Sequence, residues 1–330
     1  MVSERDDRPI GSGPPTLVTG AMGCLGAWVL HHLVEAGRPV VAFDLSTDRR
    51  RPELIMGPDR AAEVTYVTGD LTSIDDVSAA VIDHGVERII HLAALQIPFC
   101  RDDPIRGAQV NVVGTANVFE AARRQGIRHL TYASSVAVYG PADVYPAGPL
   151  GDGTVRRPAT LYGAYKVANE DMAAVYWADD GLSSIGLRPY TVYGPGRDQG
   201  LTSDPTAAML AAVAGRPAHI GFGGAMQFHH ASDTARQFIA AADLIEHAGA
   251  GSFDLGGTPA TVAEVIEHIR SVRPDAAVTA EKTALPFPSE FTNDALRAAV
   301  PEVYHTPLAE GVAATMAHFE AALADGRLAP

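Results

Sequence analysis

The sequence predicts an α/β fold built on a doubly wound parallel sheet, with a smaller C-terminal lobe. Three observations carry the prediction. Short apolar, β-branched runs alternate with helix-like segments through the first 190 residues. Gly20, Gly23 and Gly26 stand where the first such run passes into the first helix. After Pro189 the regularity ends, and prolines and glycines break the chain into shorter pieces. Alternation of this kind marks strands paired in parallel and covered by crossover helices on both faces. With 330 residues, 47% of them apolar and 19% charged, the chain can bury such a core.

Residues 1–15 are polar and end in Gly11-Ser12-Gly13-Pro14-Pro15, without the apolar stretch of a signal peptide. They are expected to form a flexible leader. Residues 16–19 read as the first strand, 27–34 as an amphipathic helix, and 40–43 as a second strand ending at Asp44. Residues 64–67 form the third strand, followed by Gly69-Asp70-Leu71 and a helix over about 74–84. The strand at 88–92 breaks at Ala93-Ala94, a long helix covers about 108–124, and the strand at 129–133 ends at Ser134-Ser135. A polar excursion over 140–158 precedes a helix at about 162–177, and 183–188 closes the series. The expected division is a main domain at 16–190 and a lobe at 191–330, with some lobe segments returning to the main domain.

The turn TLVTGAMGCLG, residues 16–26, has the strand–glycine–helix context of a dinucleotide-binding loop. Gly20 permits the tight turn, Gly23 lets backbone amides approach a pyrophosphate, and Gly26 lets the helix pack close to the strand. The helix N-terminus offers free N–H groups to the phosphates. Asp44, about twenty residues on, is placed to bind an adenosine ribose. Its charge favours a free 2′-hydroxyl and repels a 2′-phosphate, so NAD is the expected cofactor rather than NADP. Arg49, Arg50 and Arg51 follow closely, as a solvated charge run or as a reach toward a phosphate. Cys24, inside the loop, reads as a small apolar filler.

Tyr162 and Lys166 stand one helical turn apart, on one face. A tyrosine, with a pKa of about 10, is a poor base at neutral pH. An ammonium one turn away is expected to lower that value and make proton exchange with an alcohol feasible. Ser134 and Ser135 end the preceding strand, at the sheet edge where ligands bind, and a hydroxyl there can hold the reacting oxygen.

Together, TGAMGCLG, Asp44, Gly69-Asp70-Leu71, HLAA at 91–94, NVVGTANV at 111–118, SSVAVYG at 134–140, YGAYK at 162–166 and LRPYTVYGPGR at 187–197 resemble the extended branch of the short-chain dehydrogenase/reductase superfamily. That group includes NAD-dependent epimerases and dehydratases, and the resemblance spans about 16–240. It implies a Rossmann-type fold and a catalytic set of Ser135, Tyr162 and Lys166, the lysine also binding the nicotinamide ribose. It further implies that the loop residues Met22, Cys24 and Leu25 join the glycines around the cofactor. Asp70 and Leu71 would flank the adenine, Ala93 and Ala94 line the groove, and Pro189 and Val192 lie near the nicotinamide. Asn111 would support the site from its helix, or serve as a cap or core residue. A homodimer through the helices at 108–124 and 162–177 is also implied.

The lobe departs from the family's nucleotide-sugar enzymes. Where they typically carry an asparagine after the Leu-Arg strand, Thr191 stands here. Where they typically carry a diphosphate-gripping arginine, Met226 or a neighbour stands, in GGAMQFHHASDTA. A diphosphate needs charge-assisted donors, which methionine lacks. The substrate is therefore expected to be small and non-nucleotide, with Gln96, Ser134, Ser135, Thr191, Arg197 and Met226 as candidate contacts. Arg197 is a partner for a substrate carboxylate or an exposed loop arginine. His229 and His230 are adjacent, so on a strand they face opposite ways, and no metal site is expected.

The expected activity is NAD-dependent oxidation of a secondary alcohol on a sugar, sugar acid, polyol or hydroxy acid. Epimerisation with bound NAD is the alternative, and a non-catalytic NAD sensor a third. Dehydration is disfavoured because Val136-Ala137 stand where the family's dehydratases carry an acidic pair. A net charge of −14 disfavours nucleic acid as a partner. No stretch is apolar enough to cross a membrane. Two cysteines without metal-type spacing fit a reduced cytoplasm.

Overall fold

The structure, a computed structural model, describes residues 13–329. The expected leader lies largely outside the described residues. In chain order the first half runs β1 (Thr16–Thr19), α1 (Cys24–Glu35), β2 (Val40–Asp44), α2 (Arg50–Met56), α3 (Pro58–Ala61), β3 (Thr65–Thr68), α4 (Ile74–Asp83) and β4 (Arg88–His91). There follow α5 (Ile97–Asp102), α6 (Pro104–Ala108), a π-helical turn over Gln109–Val113, α7 (Gly114–Arg124), β5 (His129–Ala133), α8 (Leu161–Asp180) and β6 (Ser183–Arg188). The helix expected over 108–124 is thus a helical run with a widened turn in it.

The second half comprises β7 (Thr191–Tyr193), α9 (Asp204–Val213), β8 (Ala218–Ile220), β9 (Ala225–His230), α10 (Ala231–Ala242) and β10 (Ala250–Asp254). It closes with β11 (Thr258–Thr261), α11 (Val262–Val272), β12 (Val278–Ala280), α12 (Asp294–Ala299) and α13 (Leu308–Ala324).

Seven parallel strands form the main sheet in the order β10-β6-β5-β4-β1-β2-β3. The fold is the doubly wound α/β type. One face buries α1 and α10 against Val18, Ala42 and Ile90, while the other buries Val77, Val118, Phe119 and Ala173 against Leu17, Val41 and Ile89. Chain order reverses between β1 and β4, and there the crevice for a ligand opens at the carboxyl ends. Strand β10 and helix α10, although late in the chain, belong to the main sheet and its cover. Helix α12 joins that core through Leu296, and the other C-terminal elements build a separate core around Met209, Phe228, Val265, Val312 and Phe319, beside the sheet β11-β9-β7.

Candidate active site

The site is assembled by close backbone approaches that the sequence permits with small residues. A Cβ on Gly26 would lie 2.3 Å from the Gly20 carbonyl oxygen, so α1 starts directly on the turn after β1. Its first residues need no side-chain cap, and their N–H groups stay available to an anion. At the other wall, a Cβ on Gly163 would lie 2.0 Å from the Ala137 oxygen. That contact seats the first turn of α8 against the short 3-10 turn Val136–Val138 and its cap Ser135. Thr160 caps α8 by accepting from Gly163 N–H at 3.0 Å.

Between these walls lies a cavity of about 860 Å³. It is lined by Gly20, Gly23, Cys24, Leu25 and Gly26 of the glycine loop and by Asp44, Asp70 and Leu71. Ala93, Ala94, Pro189 and Val192 also line it, as do Ser134, Ser135, Tyr162, Lys166, Gln96 and Arg197. Asp44 is held at the end of β2, its two oxygens accepting from Met22 and Ser46 N–H at 2.9 Å each. The glycine cradle and this fixed carboxylate fit an adenine dinucleotide with a free ribose 2′-hydroxyl. The arginine run is otherwise engaged. Arg49 stacks on Tyr66, Arg50 pairs with Asp48, and Arg51 pairs with Asp198 at 2.7 Å.

Four candidates stand apart from the cavity. Thr191 on β7 and Met226 on β9 are buried against each other, the threonine hydroxyl 3.2 Å from the Met226 sulfur. Their strands are neighbours in the lobe's own sheet, which turns both side chains into that sheet's packing. Neither is therefore a cavity residue, a correction to the expected substrate contacts. Met22 acts through its backbone, its N–H donating to Asp44 and its carbonyl accepting from Arg51. Asn111 is fully buried and clamps Leu95, accepting from its N–H at 2.7 Å and donating to its carbonyl at 2.8 Å. It shapes the loop after β4 without touching the cavity.

The electrostatics also depart from expectation. Burial pushes the Tyr162 phenol up to about 12, against the lowering pull of a hydrogen bond from Ser135 and the charge of Arg197. Lys166 does not depress it, because its ammonium donates to the Ala133 carbonyl at 2.6 Å and sits 5.5 Å from the Tyr162 ring. Burial pulls Lys166 itself down to about 8, against the opposing influence of Cys100 and Glu170. Burial likewise raises the Cys24 thiol to about 12, consistent with an inert filler. Ser134 lines the cavity, but its hydroxyl donates to Glu170 at 2.6 Å.

That bond belongs to a buried network the sequence reading missed. Glu170 receives both Nε and Nη2 of Arg188, at 2.7 and 2.8 Å, and Arg156 at 3.0 Å. Arg188 donates onward to Tyr139, which donates to Asp254 at 2.7 Å. Burial pushes Asp254 up to about 7, against the nearby Arg188 charge. The signal available in the sequence was Glu170 itself, one turn beyond Lys166 on the same inward face of α8.

Comparison with known proteins places this geometry in context. The sequence profile of the NAD dependent epimerase/dehydratase family matches residues 16–256. An uncharacterised 37.6 kDa protein of Escherichia coli O111:H- is 32% identical over 296 residues, covering 82% of this chain and 86% of its own. The UDP-glucose 4-epimerase of Mycolicibacterium smegmatis is 32% identical over 234 residues, 70% of this chain and 71% of its own. Among solved structures, a partial consensus L-threonine 3-dehydrogenase superposes with a TM-score of 0.83 at 25% identity, over 93% of this chain and 100% of its own. MoeE5 in complex with UDP-glucose and NAD gives 0.78 at 26% identity, over 94% and 99%.

Proposed function

The chain belongs to the NAD dependent epimerase/dehydratase family, and within it we propose that it is a dehydrogenase of a small, non-nucleotide secondary alcohol. The observation that carries the reading is the cavity itself. One space holds the glycine cradle, Asp44, Ser135, Tyr162 and Lys166, and its 860 Å³ lies within the roughly 300–1,000 Å³ that a single drug-sized ligand ordinarily occupies. A dinucleotide bound along the cradle would bring its nicotinamide toward Ser135 and Tyr162, where a sugar, sugar acid, polyol or hydroxy acid would react. The diphosphate-binding arginine is also missing from β9, whose Met226 is buried.

In this reading Gly23, Leu25 and Gly26 hold the pyrophosphate, Asp44 the adenosine ribose, and Lys166 the nicotinamide ribose. NAD, when bound, supplies the hydride acceptor. Ser135 holds the substrate hydroxyl and Tyr162 Oη takes its proton. For Tyr162 to act as a base near neutral pH, its phenol must fall from about 12. Lys166 accomplishes this by leaving the Ala133 carbonyl for the cofactor side, where its positive charge approaches the phenolate. The protein is further proposed to be a cytoplasmic homodimer, paired through α7 and α8, where Val175 and Trp177 stand exposed. The described residues contain no helix long and apolar enough to cross a membrane, and both cysteines are free.

The 32% identity to a UDP-glucose 4-epimerase favours a second reading, epimerisation with retained NAD. Following absorbance at the NADH maximum with sugars, sugar acids, polyols and hydroxy acids separates the two. Net NADH is expected, with Tyr162→Phe lowering turnover about 10²- to 10⁴-fold at unchanged NAD affinity. Interconversion of UDP-sugars without net NADH supports the epimerase. Full activity in Tyr162→Phe overturns the catalytic assignment.

A further inference from the structure

We propose that the substrate carries a carboxylate and that Arg197, on the loop after β7, receives it together with Thr202 and Gln96. The inference rests on the reading that a small alcohol is oxidised in this cavity, and it names the chemical class of that alcohol.

Three arginines line the cavity, and two are already neutralised. Arg51 is held by Asp198 at 2.7 Å and by the Met22 carbonyl at 2.8 Å. Arg106 lies 3.5 Å from Asp70. Arg197 differs. Among the described residues no carboxylate stands within ion-pair reach of it, since its neighbour Asp198 turns to Arg51. Its one side-chain hydrogen bond goes from Nη2 to the Thr202 hydroxyl at 3.2 Å, and its Nε is buried without any acceptor. A guanidinium cannot shed its proton to relieve this, so the fork is short of an acceptor that a ligand must bring.

Its surroundings give the acceptor's position and type. Gln96, after β4, reaches across to the same point. A Cβ on Gly200 would fall 1.8 Å from its Oε1 and 3.2 Å from Arg197 Nη2, so only a glycine there leaves the two side chains facing one space. The charge of Arg197 bears on the Tyr162 phenol and also on the Cys24 thiol of the glycine loop, which places the guanidinium between the cradle and the reacting groups. One planar fork with two neutral polar neighbours matches a single carboxylate. A phosphate, with up to two charges, would find no second free arginine, because Arg51 and Arg106 are paired. The substrate class is therefore a hydroxycarboxylic or sugar acid whose carboxylate lies within a few bonds of the carbinol.

The test reads binding, so it does not depend on turnover. NAD-loaded protein is titrated calorimetrically with glycerate, erythronate, gluconate and galacturonate, and in parallel with glycerol, erythritol, glucitol and galactose. At least one acid is expected to bind more tightly than its neutral counterpart. Arg197→Met should weaken that acid by about 10- to 150-fold, the range for a charged hydrogen-bonding partner, and leave NAD affinity within about twofold of the parent. Arg197→Lys should fall between. Thr202→Val and Gln96→Leu, which keep the charge, should weaken the acid only and by less. They also carry the test should Arg197→Met fail to fold. Acids binding no better than neutral compounds overturns the proposal. So does a loss in Arg197→Met that falls on NAD and spares the acid, which would assign the arginine to the cofactor's pyrophosphate. Failure of the underlying reading looks different: acids bind through Arg197, but no alcohol yields NADH.

Discussion

Replacing Glu170 by glutamine tests the buried network beneath the site. The carboxylate accepts four hydrogen bonds, from Ser134, twice from Arg188 and from Arg156. Glutamine keeps one acceptor oxygen but turns an NH2 toward the guanidinium, so donor meets donor. Arg188 is only 4% exposed, and the next carboxylate, Asp254, is 3.7 Å away with one oxygen unpartnered. Breaking one side of a buried ion pair destabilises by about 3–5 kcal/mol, because the remaining charge stays out of water. An unfolding entropy of about 2.1 cal/mol/K per residue gives about 0.7 kcal/mol/K for this length, so the melting temperature should fall by about 4–7 °C.

Calorimetric melts of Glu170→Gln at pH 7, with and without NAD, read this directly. Arg188→Met alone should cost a similar amount, since it leaves Glu170 buried without its main partner. The double variant should be less destabilised than the sum of the two, because a neutral pair leaves no stranded charge. Ser134 is released in Glu170→Gln, and its neighbour Ser135 lines the cavity. Turnover should therefore fall further than NAD affinity. A melting temperature within about 1 °C of the parent, or strict additivity of the two substitutions, would refute the account of Glu170 and Arg188 as a mutually dependent pair.

Gly26→Ala places a methyl group 2.3 Å from the Gly20 oxygen. The turn must shift, so fluorescence titration should show NAD binding weakened at least about tenfold; retention of parent affinity would refute the cradle. Asp44→Ala removes the carboxylate at the end of β2 and should narrow the preference for NAD over NADP by about tenfold or more in paired titrations, while an unchanged ratio would remove Asp44 from cofactor choice. Lys166 has its pKa held down to about 8 by burial. Between that value and its ordinary value of 10.5, the unfolded chain binds the proton that the folded chain has released. Stability from this group is thus present above pH 10.5 and lost as pH falls through 8. The melting temperature of the parent should rise relative to Lys166→Met between pH 8 and 10, and a constant difference would contradict the burial argument.

What was legible in the sequence is what a single element encodes. The glycine turn and Asp44 are read from short stretches whose chemistry is local. Tyr162 and Lys166 are read from helical spacing, which fixes the shared face whatever packs against it. Spacing does not fix where the end of a long side chain goes. Lys166 is on the expected face, yet its ammonium goes to Ala133, and the phenol it was expected to acidify is raised by burial. Thr191 and Met226 mark the same limit in a strand. The family resemblance suggested the cavity, but the pairing of β7 with β9 turned them into the lobe's packing.

The network around Arg188 shows why the supports of a site are harder to read than its reacting groups. Glu170, Tyr139 and Asp254 come from α8, the loop after β5 and the late strand β10, and they meet only because β10 returns to pair with β6. No periodicity links such residues, and each alone has an ordinary explanation as a surface charge or a core aromatic. Burial supplies the missing constraint. Once the sheet closes over Arg188, most polar groups in reach find a partner, one oxygen of Asp254 excepted, and Ser134 is drawn in beside Ser135. The same rule, applied to the one guanidinium in the cavity left short of an acceptor, points from Arg197 to an acidic substrate. A satisfied buried charge explains how the site is held, and an unsatisfied one indicates what the site is waiting to bind.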